Sequence, residues 1–413
     1  MSVEPLLSKW EVRRLEELSS AIQYGYTAKA TTERLGPKLL RITDIQNDAV
    51  DWDAVPFCEI SPKEIEKYRL GKNDLLFART GATVGKSYLI PGSIPDSVFA
   101  SYLIRVRLLE DVIPKYVAYF FRSLDYWRQI TETQAGIGQP NVNGTKLAQI
   151  KIPVAPLKQQ KLIVSEIEKQ FSRLDEAVAN LKRVKANLKR YKTAVLKAAV
   201  DGKLAPTAGS WKQVTLGDVT TSIRNGYSKK PDAEQGTRIF RISAVRPMKL
   251  DANDIRYLSG TPSDYEPFLV EPGDVLFTRY NGNRDYVGVC ARVPANMPPT
   301  VYPDKLIRVR VPRLMMLPEF LVILASTGRA REYIESKIRT TAGQSGISGG
   351  DLKLLPLDIP RVAEQQQIVA EVERRLSVIE ELETAVQANL TRADRLRQSV
   401  LARVFSGELT TLQ

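Results

Sequence analysis

The chain is one unit written twice, and that duplication limits its fold more than any other feature. Trp10, Leu15, Ile22, Gly25 and Tyr26 recur 201 residues later as Trp211, Leu216, Ile223, Gly226 and Tyr227. LRITDI (40–45) returns as FRISAV (240–245), and DLLFARTG (74–81) as DVLFTRYNG (274–282). YLIRVR (102–107) matches KLIRVR (305–310), QQKLIVSEIE (159–168) matches EQQQIVAEVE (364–373), and AVLKAAVDGKL (194–204) matches SVLARVFSGEL (399–409). The matches keep their order and use the whole chain, so the fold must be two similar bodies.

Each copy changes period partway. Residues 1–155 and 205–360 mix short β-rich runs with turns, and Pro114 and Pro318 each open a helical stretch, where proline's missing N–H costs nothing. In SYLIRVRL, Tyr102, Ile104, Val106 and Leu108 fall on one strand face and Arg105 and Arg107 on the other, which predicts a solvated arginine face. The remainder of each copy, 156–204 and 361–413, carries apolar residues spaced by threes, fours and sevens, from Ile163 to Val195 and from Ile368 to Val400. Such stripes belong to long helices that seek another helix, and Gly202 and Gly407 stand where they should stop. Residues 157–203 hold 12 Lys/Arg against 5 Asp/Glu, and 362–410 hold 6 against 8, so the two helices suit each other electrostatically. The expected fold is α+β: two tandem-repeated mixed α/β domains (1–155 and 205–360) separated by a long antiparallel two-helix coiled coil, related by a pseudo-twofold. A 40-residue helix spans roughly 60 Å, enough to set two heads on half-sites separated by unread bases.

Composition removes most chemistry. The chain has no histidine, which excludes Ser/His and Cys/His nucleophiles and His-containing zinc sites. Its two cysteines, Cys58 and Cys290, are far apart and read as buried small hydrophobes. A net charge of +13 points toward a polyanion. The first residues lack a basic-then-apolar signal pattern, and no stretch nears the roughly 20 apolar residues of a membrane span, so a cytoplasmic protein without a membrane partner is expected.

This layout resembles the specificity subunit of type I restriction-modification enzymes. The likeness is carried by the paired entry segments SKWEVRRLEEL and GSWKQVTLGDV, and by DLLFARTGATVG and DVLFTRYNGNRDYVG. It is carried also by the loops QAGIGQPNVNG (134–144) and TAGQSGISGG (341–350), and by an Ile-Pro step before each Gln-rich helix start (Ile152-Pro153 and Gln159-Gln160; Ile359-Pro360 and Gln365-Gln366). The resemblance implies a sequence-specific DNA-binding subunit with no active site and no cofactor of its own. Its partners would be double-stranded DNA, two modification subunits that bind S-adenosylmethionine and methylate adenine, and two restriction subunits that use ATP and magnesium. The two recognition domains would read the two parts of an asymmetric, split target.

Base-reading candidates are loop residues with suitable donors: Arg79, Gln134, Gln139, Asn141 and Asn143 in the first copy, and Asn281, Asn283, Arg284, Arg339 and Gln344 in the second. Arg79 has a matched partner, Arg279, so that pair could instead serve the shared fold. Backbone phosphates could be met by Arg105, Arg107, Arg308 and Arg310 on the strands, and by Lys182, Lys185 and Lys189 on the first long helix. Val184 and Leu196, read as lying outside the helix seam, could hold a modification subunit. Two rivals remain: a magnesium nuclease built on Asp304, Glu335 and Lys337, and a non-enzymatic coiled-coil scaffold. GATVGKS (81–87) has one residue too few between its glycines for a phosphate loop and reads as a turn after a buried strand.

Overall fold

Each half of the repeat folds into the same four-stranded antiparallel sheet. The computed structural model describes residues 10–46, 48–80, 83–133, 142–205, 210–341 and 343–407. In the first half the order is Ser19–Tyr24, Leu103–Leu108, Leu75–Ala78, Ser87–Leu89. In the second it is Ser222–Asn225, Leu306–Arg310, Val275–Thr278, Cys290–Arg292. The central strands carry the matched sequences, and their fully buried LLFA and VLFT runs explain the match.

Both faces of each sheet are covered. Leu75, Phe77, Ile104 and Val106 pack into one core, and Leu76 and Leu103 into another on the opposite face. Val275, Phe277, Ile307 and Val309, against Leu276 and Leu306, repeat the arrangement. Two-sided burial overturns the expected solvated arginine face. Arg105 is only 2% exposed and Arg308 only 5%.

Matched glycines mark where the backbone crowds. A Cβ on Gly25 would lie 2.2 Å from the Ala100 carbonyl oxygen, and one on Gly226 would lie 2.2 Å from that of Pro303. Only glycine allows this approach.

The long helices run over Leu157–Val200 and Val362–Phe405. Gly202 ends the first at φ 69°, with the Lys203 N–H bonded back to the Ala198 carbonyl and that of Gly202 to Ala199, a Schellman stop. Gly407 takes the same left-handed conformation, φ 78°, after the second. A matched glutamine ties each helix start to its globule. Gln160 Oε1 accepts from the Ile113 N–H at 2.8 Å and its amide donates to the Ala155 carbonyl at 2.8 Å. Gln365 accepts from Leu317 at 2.8 Å and donates to the Met315 and Pro360 carbonyls at 3.0 Å.

The chain divides into two compact units, 1–181 with 388–413, and 182–387. Each therefore contains part of both long helices, running antiparallel. In the first unit Asp175 pairs with Arg397, and in the second Lys185 Nζ donates to Gln387 Oε1 at 3.0 Å. Leu401, Val404 and Phe405 complete the core of the first unit. Val195, Leu196 and Ala199 complete that of the second. Leu196 is consequently buried, and the expectation that it lies free for a partner is wrong; Val184 stays exposed.

Candidate nucleic-acid interface

In the second unit the buried strand Val275–Thr278 delivers Arg279 and then a short strand, Tyr280–Asn281. That strand pairs with Gln344–Gly346, which pairs in turn with Arg339–Thr341. Three sequence-selected residues, Asn281, Arg339 and Gln344, are thereby gathered on one small antiparallel sheet. Asn283 and Arg284 follow in the adjoining turn. Asn281 Oδ1 accepts from the Asn283 N–H, and Asn283 Oδ1 from the Asp285 N–H, both at 2.9 Å. These Asx bonds hold the turn and leave the amide nitrogens uncommitted to it. Arg284 donates to the Glu335 carbonyl at 3.2 Å. Arg339 is 81% exposed, with its guanidinium 3.9 Å from Asp351. Burial pushes the Asp351 carboxyl up, but hydrogen bonds from Ser348 and the nearby Arg339 and Lys337 outweigh it and hold the group below its usual range. The Tyr280 ring rests on Gly346, where any Cβ would come within 2.3 Å.

The first unit shows the same frame. The Val142 N–H donates to the Arg79 carbonyl at 3.0 Å, as Ile347 does to Arg279 at 2.9 Å. The Gly144 N–H donates to the Tyr24 hydroxyl at 2.7 Å. Asn143 caps the Gly144–Ala148 helix by accepting from the Lys146 N–H. Gln134, Gln139 and Asn141 lie outside the described residues. Tyr24, Tyr280 and Lys305, which sequence reasoning missed, surround the matched arginines; two of these positions differ between copies at aligned sites (Tyr24 against Asn225, Tyr102 against Lys305), and that contrast was the available signal.

Two of the four strand arginines, Arg105 and Arg308, are turned inward. Arg105 donates to the Arg69 carbonyl at 2.7 Å, to the Lys67 carbonyl at 3.0 Å and to Gln23, with its guanidinium over the Phe99 ring. Arg308 donates to the Leu269 carbonyl at 2.7 Å and lies over Tyr302. Arg107 and Arg310 each bond Asp74 or Asp274 through Nε, at 2.9 and 2.6 Å. As placed, Arg105 and Arg308 are internal braces rather than phosphate contacts, because the second sheet face is covered. Lys182, Lys185 and Lys189 are exposed on the first long helix.

Two members of the nuclease trio are otherwise engaged. Glu335 pairs with Arg331 at 2.9 Å and Lys337 lies over the Tyr333 ring. Among the described residues, no group of three acidic, Cys or His side chains is placed to hold a metal ion. The 81–87 stretch, where described, turns between two strands, with Gly85 at φ 82° and its carbonyl held by the Tyr126 hydroxyl. Cys58 and Cys290 are free and buried, and burial pushes the Cys290 thiol up to about 12. No helix among the described residues is long and apolar enough to cross a membrane.

Residues 7–190 match the family described as the type I restriction modification DNA specificity domain. The chain is 34% identical over 388 residues to the type I restriction enzyme EcoKI specificity subunit of Escherichia coli K12, covering 90% of this chain and 82% of that protein. It is 28% identical to the StySPI specificity subunit of Salmonella potsdam, with the same coverage. Two solved structures share its fold. One, from work on complex assembly and conformational transition of the type I R-M system, has a TM-score of 0.75 at 19% identity and covers 97% of this chain and 98% of that one. The other is the HsdS subunit of Thermoanaerobacter tengcongensis, with a TM-score of 0.57 at 20% identity and 97% coverage of each chain. With a relative this similar over nearly its whole length, the duplicated chain belongs to the specificity subunits of type I restriction enzymes.

Proposed function

We propose that the chain gives a type I restriction-modification complex its DNA sequence preference and carries out no chemistry itself. Residues 1–155 and 205–360 act as target-recognition domains, and 156–204 and 361–413 as the helical segments that join them. The observation that carries this reading is the repeated sheet frame with unlike loops. The same four-strand order leads in both units to loop exits at Arg79 and Arg279, while the residues beyond them differ. A shared frame with dissimilar tips suits two unlike half-sites of one split target. Asn281, Asn283, Arg284, Arg339 and Gln344 read bases in one half, and Gln134, Gln139, Asn141 and Asn143 in the other. Lys182, Lys185 and Lys189 face unread backbone.

Two modification subunits supply S-adenosylmethionine-dependent adenine methylation, and two restriction subunits supply ATP- and magnesium-dependent translocation and cleavage, in the cytoplasm. Adenine-methylation mapping in cells carrying the chain and its partners tests the division of labour. Exchanging residues 1–155 for another recognition domain should change one half-site only. A change in both halves, or in neither, refutes it.

A further inference from the structure

Four arginines of the matched strands are consumed internally, but the matched pair Arg79 and Arg279 is not. Among the described residues Arg79 makes no ion pair and no side-chain hydrogen bond. Its Nε is shielded and unpartnered, and its guanidinium lies 4.9 Å from the Tyr24 ring centroid. Arg279 lies 4.7 Å from the Tyr280 centroid, its Nε is likewise unpartnered, and among the described residues its side chain makes a single hydrogen bond, a long 3.3 Å contact to the Asp304 carbonyl. A ring holds the guanidinium plane without neutralising its charge.

The two occupy the same place in the frame. Each follows the buried central strand, and each donates its backbone N–H to the carbonyl of the residue just before the neighbouring strand, Tyr102 at 3.0 Å or Lys305 at 2.8 Å. Each lends its own carbonyl to the exit of the variable loop.

We infer that Arg79 and Arg279 are equivalent phosphate anchors, one per unit, which seat each reading surface on the DNA backbone without reading bases. This rests on the DNA-reading function proposed above, and it assigns Arg79 to the backbone rather than to a base. The reason is the duplication itself. A residue identical in two units that face unlike sequences serves what all DNA shares, its phosphates. The neighbours then set the strength of each anchor. At the aligned position the first unit has Tyr102 and the second Lys305, whose Nζ lies 5.9 Å from the same Tyr280 ring. The second anchor therefore brings two positive charges to the phosphate and the first brings one.

The test is equilibrium binding of the full chain across a salt series, to a duplex carrying its methylation-mapped target and to a random duplex. Arg79→Gln and Arg279→Gln should each make the plot of log affinity against log salt shallower by about 1. Arg279→Gln combined with Lys305→Gln should make it shallower by about 2. Affinity for both duplexes should fall by the same factor, and the charge-preserving Arg79→Lys should restore the slope. An unchanged slope in variants that melt like the parent overturns the inference. Weakened binding to the target duplex alone also overturns it, since that marks a base reader, and so does loss of folding in Arg79→Lys. If the parent chain does not distinguish target from random DNA, the specificity reading fails instead, while the slopes still report on the anchors.

Discussion

Phe405, the last residue of the second long helix, meets Phe120 edge-on, with ring centroids 5.2 Å apart and planes at 83°. It meets Tyr116 in the same way at 5.3 Å. The second repeat's helix thus finishes the first repeat's core, as the first repeat's Val195, Leu196 and Ala199 finish the second's. Neither repeat is completed by its own residues alone, which ties each head to the end of the other repeat's helix.

Phe405→Ala should lower the stability of the first unit by about 3–5 kcal/mol, the usual cost of truncating a buried aromatic. Hydrogen exchange resolved by residue should show the loss at 103–120 and leave the Val275–Thr278 strand protected. Leu196→Ala should do the reverse, at about 2–5 kcal/mol. Equal loss in both units from either variant would refute this exchange of helix ends.

Asp274 is 2% exposed and accepts from Arg310 Nε at 2.6 Å, from Arg310 Nη2 at 3.1 Å and from the Glu271 N–H at 2.7 Å. Asp274→Ala strands the buried Arg308 beside it and should cost about 3–5 kcal/mol. Urea unfolding followed by fluorescence checks this, and a change under about 1 kcal/mol would contradict the bracing role.

Gly226→Ala forces a methyl carbon to within 2.2 Å of the Pro303 and Tyr302 carbonyl oxygens. Because backbone cannot step aside as side chains do, the cost should exceed the roughly 1–3 kcal/mol of ordinary overpacking. Gly282→Ala is the control: nothing lies within 4 Å of its Cβ, and its melting temperature should match the parent's.

Cys290 is fully enclosed and its thiol titrates at about 12, pushed up by burial. It should not react with a thiol reagent at pH 8 until the second unit opens. The folded state keeps its proton between the free-thiol pKa, about 8.5, and about 12. This contribution to stability is therefore complete below the lower value and declines as pH rises through the upper one. Rapid labelling of the native chain at Cys290 would contradict its burial.

Much was legible in the residues. Self-similarity announced the two bodies, apolar spacing announced the long helices, and Gly202 and Gly407 marked their stops, because each signal is local and repeated. The strand arginines misled. Alternation in YLIRVR suggested one wet face, but Leu40, Ile90 and Phe99 pack with Leu76 and Leu103 on that face, so Arg105 turns inward to the carbonyls of Lys67 and Arg69. Leu196 misled in the same way.

Sequence by itself determined that there are two related bodies and two long apolar-striped helices, since periodicity and duplication survive without knowledge of contacts. Only tertiary structure decided which charges are spent inside and which are left over. Arg79 and Arg105 are alike as residues, yet Arg105 becomes a brace while Arg79, among the described residues, keeps its guanidinium on the Tyr24 ring without an ion pair, because a buried guanidinium must find carbonyls or carboxylates, and only packing places those within reach.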